Sequence, residues 1–103
     1  MIEKKMAYQV QERLIDMLAG ILAELKTQKA IRDFLKDLLN RQERAMLARR
    51  LLIAEMLLDG AKYHEICAEL NCGSATVARV ERWLHFGRGG YERAIQTKRI
   101  YKK

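Results

Sequence analysis

The sequence predicts an all-α fold of five to six helices, two of them arranged as a helix-turn-helix. Three observations lead there. The 103 residues contain no proline, so no rigid φ or missing N–H interrupts a helix. Apolar residues recur at i, i+3, i+4 and i+7, the period of an amphipathic helix, and nowhere alternate as in a strand. Five of the six glycines fall in compact breaks: Asp59-Gly60, Asn71-Cys72-Gly73 and the run Gly87 to Gly90.

Taken in order, residues 6 to 25 place Val10, Leu14, Met17, Leu18, Ile21, Leu22 and Leu25 on one helix face. Gly20 weakens that helix by about 1 kcal/mol without ending it. Thr27 is the expected cap of a second helix, with Ile31, Phe34, Leu35 and Leu38 on its buried side. Asn40 is the expected cap of a third, and Glu43 completes a capping box. The third helix buries Met46, Leu47, Leu51, Ile53, Ala54 and Leu57 and stops at Asp59-Gly60. A fourth fits Tyr63 to Leu70 and a fifth Ser74 to about His85. A last one fits Tyr91 to Tyr101. The whole, residues 1–103, is expected to be one domain.

Composition narrows the function. Half the residues are apolar and about a third charged, as in a globular chain. A chain of this length buries a modest core alone, so a subunit interface is expected. No window of 18 uncharged apolar residues marks a membrane span, and the first residues lack the apolar stretch of a secretion signal. Two cysteines without an export signal point to a reducing cytoplasm rather than a structural disulfide. The net charge is +7, and residues 74 to 103 supply +6 of it. A one-sided basic segment is the electrostatic footprint of a polyanion partner; a solvated tail is the alternative.

The stretch LNCGSATVARV, residues 70 to 80, decides between them. A helix-turn-helix, here residues 62–86, needs apolar side chains where its helices face, a small residue where they touch and a turn residue tolerant of positive φ. Counting Tyr63 as the first of twenty, Ile66, Leu70, Cys72, Val77 and Val80 take the core places. Cys67 is the small contact residue, and Asn71 is the best substitute for glycine in the left-handed conformation. Small residues then open the second helix. Gly73, Ser74, Ala75 and Thr76 are expected at DNA base edges and phosphates, with Arg79 and Arg82 meeting the backbone. His64, Cys67, Cys72 and His85 have a superficial zinc spacing, but neither pair takes the usual C-x2-C or H-x3-H form. Both cysteines already have apolar places, so no metal is expected. No carboxylate pair, Ser/His/Asp set or phosphate loop points to an enzyme.

Residues 39 to 80 resemble the tryptophan repressor superfamily. Glu43, Arg44 and Arg50 of the third helix stand at the family spacing. So do Gly60, Glu69-Leu70 before the turn, and Gly73, Ala75 and Thr76 in it. The chain is one residue short between Gly60 and Tyr63. The resemblance implies an intertwined all-helical homodimer on double-stranded DNA, its two reading helices entering successive major grooves. It implies base-edge contacts at Gly73, Ser74, Ala75 and Ala78, with Tyr63 and His64, at the start of the motif's first helix, touching the backbone. It also implies a ligand pocket at Asn40, Arg50, Arg79, Val80 and Trp83. There the chain departs from the family. Asn40 replaces a threonine, Val80 a glycine that gives the indole room, and Trp83 a serine. A valine overfills a tight aromatic slot by about 1–3 kcal/mol, so tryptophan is not the expected corepressor, and no cofactor is assigned. Trp83 stands four residues after Arg79, near enough to stack on it and fill the slot itself. A plain packing role for Trp83 is the alternative. The resulting expectation is a transcriptional regulator, with a protein- or RNA-interaction module as the alternative.

Overall fold

The computed structural model describes residues 7–97, all helix and connection, with no strand among them. The chain divides into two compact units, one running through Asn40 and one beginning at Arg41. The expected final helix is described as far as Thr97; the basic residues Lys98, Arg99, Lys102 and Lys103 lie outside the described residues.

The first unit is a helical pair, α1 (Tyr8–Leu25) and α2 (Gln28–Leu38). Lys26 takes the left-handed conformation at the end of α1, φ 65°. Thr27 then caps α2 as expected, its hydroxyl accepting from the Ala30 N–H at 3.1 Å, an interaction of about 1 kcal/mol. The expected buried faces are not buried. No residue of α1 or α2 is, and Met17 is 57% exposed. The physical reason is supply: two amphipathic helices have too little surface between them to cover both stripes.

The second unit holds α3 (Arg41–Leu58), α4 (Tyr63–Leu70), α5 (Ser74–Phe86) and α6 (Gly90–Thr97). Its core takes residues from all four: Ile53 and Ala54, Ile66, Val77 and Val80, and Ile95, each no more than 2% exposed. α3 is the axis on which the other three pack. It buries only Ile53, Ala54 and Glu55, whereas Met46 and Leu47, expected inside, are exposed. Glu55 is the one buried charged residue among those described, and no buried side-chain oxygen or nitrogen among them lacks a hydrogen-bond partner.

Two connections fix how the helices meet. Gly60 ends α3 at φ +89°, a conformation other L residues reach only with strain. Around it the Ala61 N–H donates to the Met56 carbonyl at 3.0 Å. At the end of α5 the Gly87 N–H donates to the Trp83 carbonyl at 2.9 Å. A Cβ on Gly87 would run into that same carbonyl oxygen, so only glycine turns the chain this closely toward α6.

Candidate nucleic-acid interface

α4 and α5 form the expected helix-turn-helix. At the start of α4, Glu65 Oε1 accepts from the Lys62 N–H at 2.7 Å, satisfying a donor that the helix itself leaves open. The helix ends at Asn71, left-handed at φ 52°, ψ 56°, with the Asn71 and Cys72 N–H groups both turned onto the Cys67 carbonyl. Gly73 is extended (φ −90°, ψ 161°), and its carbonyl accepts from the Thr76 N–H at 3.1 Å, opening α5. Ile66, Val77 and Val80 are fully buried between the two helices and α3, with Cys67, Leu70 and Cys72 packed at the edge of that core.

The opposite side of α5 is open. Gly73, Ser74, Ala75, Ala78, Arg79 and Arg82 are exposed, as is His64 on α4. Ala75, Ala78, Arg79 and Arg82 line a shallow groove of about 320 Å³. They follow one another at i, i+3, i+4 and i+7, so they make a single stripe of small residues edged by two guanidinium groups. The first N–H groups of α5 have no intrahelical acceptor and point off the same end, where the helix dipole favours an anion. Thr76 is half-buried and turns to the other side of the helix.

Tyr63 has a different place from the expected one. Its hydroxyl donates to Glu81 Oε1, a short hydrogen bond from the first turn of α4 to the middle of α5. The donor that would face a phosphate is therefore engaged in bracing the two helices. The bond to Glu81, followed by burial and the Glu81 charge, raises the Tyr63 phenol above its ordinary value of 10.0. The folded state holds this proton more tightly than the unfolded chain does. The brace is thus intact below pH 10.0 and its contribution is lost as pH rises through the elevated value. Spectrophotometric titration of the tyrosines should show two late-ionising phenols among the described residues, Tyr63 and, through burial, Tyr91, and Glu81→Gln should bring only that of Tyr63 back toward 10.0; an unchanged titration would contradict the brace. Glu81 Oε2 also lies 3.8 Å from His85 Nε2.

Behind α5, between it and α3, is a half-open cleft of about 250 Å³. Arg50, Arg79, Val80 and Trp83 all line it, so four of the five expected pocket residues converge. Asn40, the fifth, is the last residue of the other unit. Met46, Arg49, Asn71, Cys72, Gly73 and Thr76 complete the wall. Trp83 is a wall of this space, 39% exposed, and leaves it open. Its cation partner is Arg50, with the guanidinium carbon 5.4 Å from the ring centroid, and not Arg79 as its spacing on α5 predicted. A helix-internal i, i+4 pair lost to a neighbour on α3 that lies across the ring. Arg79 lines both the inner space and the outer groove.

This arrangement matches known proteins. The Trp repressor protein family matches residues 13–99, most of the chain. The chain belongs to the Trp repressor family. A Bacillus subtilis protein, uncharacterized protein YerC, is 37% identical over 81 residues, 79% of this chain and 78% of its own length. Among solved structures, a TrpR-like protein from Eubacterium eligens superposes with a TM-score of 0.80 at 26% identity, covering 94% of this chain and 100% of its own. A Staphylococcus aureus protein with a provisional Trp repressor assignment gives 0.77, also at 26% identity and with the same coverage. The Trp repressor family is one of DNA-binding regulators and not of enzymes, which agrees with the absence of catalytic motifs in the sequence. Among the described residues no helix is long and apolar enough to cross a membrane.

Sequence reasoning missed Arg49, Met46 and Glu81. The first two had a signal: 46, 49, 50 and 53 lie on one face of α3. Glu81 had none, because its partner lies eighteen residues away.

Proposed function

We propose that this Trp repressor family protein is a sequence-specific transcriptional regulator that binds double-stranded DNA as a homodimer and does not respond to tryptophan. The observation that carries this reading is the two-sidedness of α5. Val77 and Val80 lock one side into the core, while Ala75, Ala78, Arg79 and Arg82 stand open on the other. A blunt helix end of this kind fits the major groove, where Gly73, Ser74, Ala75 and Ala78 reach base edges. Arg79, Arg82 and His64 hold phosphates. The dimer is supported by the uncovered apolar surface: Leu14, Met17 and Ile21 of α1 and Phe86, 85% exposed, need a cover that a second chain supplies.

Val80 and Trp83 are the case against tryptophan. Val80 stands in the cleft wall where the family resemblance puts a glycine that gives an indole room, and the Trp83 ring already engages Arg50. We expect saturating L-tryptophan to change DNA affinity less than about twofold, since a ligand with no differential binding free energy shifts no equilibrium and this cleft does not favour the indole; a tenfold gain in anisotropy titrations would overturn this point. The wider reading is tested by selecting genomic fragments on purified protein, with and without aromatic amino acids. Recovery of a recurring two-fold symmetric sequence supports it. Retention of no duplex, or of RNA or a protein partner alone, contradicts it.

A further inference from the structure

The elbow ahead of α5 carries chemistry that DNA binding does not use. It is a Schellman motif, in which a backbone hydrogen bond returns from the residue after the left-handed one to a residue five positions earlier. The same geometry brings those two side chains into contact. At the end of α3 the pair is Met56 and Ala61, both packed against the core around left-handed Gly60. At the end of α4 the pair is Cys67 and Cys72, around left-handed Asn71, with the Cys72 N–H 3.3 Å from the Cys67 carbonyl. Two apolar side chains of any kind would satisfy the packing. Here the two residues that the motif pairs are the only two thiols of the chain. Both are free and half-buried, and Cys72 stands on the wall of the 250 Å³ space, beside Arg49 and Arg79.

We propose that Cys67 and Cys72 are an oxidation site, a dithiol that closes to an intramolecular disulfide with a peroxide and reopens with a low-molecular-weight thiol. One thiolate attacks a peroxide oxygen; the O–O bond breaks, leaving a sulfenic acid and, from hydrogen peroxide, one water. The second thiol attacks the sulfenic sulfur. The S–S bond forms, the S–O bond breaks, and a second water leaves with the remaining protons. Two electrons pass from the two thiols to the peroxide, and two thiols of a reductant such as glutathione return them. Burial, and then the charge and hydrogen bond of Cys67, push the Cys72 thiol above its ordinary value, against a smaller lowering by Arg49. The surrounding arginines disfavour a metal cation at the pair and leave a neutral oxidant unopposed.

The test uses the full chain, reduced and then treated with equimolar hydrogen peroxide. Trypsin cuts after Lys62 and Arg79, releasing a peptide with both cysteines. We expect that peptide two hydrogens lighter than its dithiol form, with no interchain dimer, and restored by dithiothreitol. C67S and C72S should each stop at a sulfenic acid that dimedone traps. The thiol–disulfide equilibrium against glutathione should favour the bond at least tenfold more in the folded chain than in urea. That factor is equivalent to about 1.4 kcal/mol of added stability. An equilibrium no more favourable folded than unfolded, interchain dimers, or direct passage to sulfinic acid in the wild type would overturn the proposal. The readout is sulfur chemistry alone, so it stands or falls separately from DNA binding.

Discussion

Replacing Ile66 with alanine is expected to lower the stability of the protein by about 2–5 kcal/mol, the range for removing three buried carbons and leaving a cavity. Ile66 is fully buried and is the only buried residue of α4. It meets a core of Ile53, Val77, Val80 and Ile95 drawn from every other helix of the unit. α4 is only eight residues long, too short to persist on its own propensity, so its position rests on this side chain. Typical domains have about 5–15 kcal/mol in all, and a loss of this size is a large share of it. Urea unfolding of Ile66→Ala should show a lower midpoint at unchanged m. Ala78→Ser, at an exposed position of α5, should stay within about 0.5 kcal/mol of wild type. Equal effects at the two sites would mean that α4 is not held through Ile66.

The Arg79→Ala variant is expected to bind all duplex DNA more weakly, by about one to two orders of magnitude, with loss on random sequence as large as on target. Arg79 is exposed on the groove side of α5, one turn beyond Ala75 and next to Ala78, where a guanidinium meets phosphate and carries no sequence information. In a dimer the substitution removes two such contacts, so the slope of log affinity against log salt should fall by about 1.8. Loss confined to the target would instead make Arg79 a base reader. An unchanged slope would remove it from the interface.

The helices were legible because their signals are local. Thr27, Asp59-Gly60 and Asn71 to Gly73 are caps and turns defined within four residues, and they stand where the sequence put them. The core of the helix-turn-helix was legible for a related reason, since Ile66, Val77 and Val80 follow from its fixed crossing geometry. Burial along α1, α2 and the start of α3 was not. Periodicity says that Met17, Leu38 and Met46 share a face with other apolar residues, but not that the same chain covers it, and all three are exposed. The inner space shows the same divide. Arg50 and Trp83 were singled out, but their stacking on one another depends on the packing of α3 against α5, which no spacing encodes. The bracing of Tyr63 by Glu81 was out of reach for the same reason.

The most direct test of the account is a map of backbone amide shifts as operator-length duplex DNA is titrated into labelled protein at low salt. The account predicts the largest changes at Gly73, Ser74, Ala75 and Ala78, with smaller ones at Arg79 and Arg82 and little at Ile66, Val77 or Val80. Changes centred on α1 or α2, with the tip of α5 silent, would contradict it.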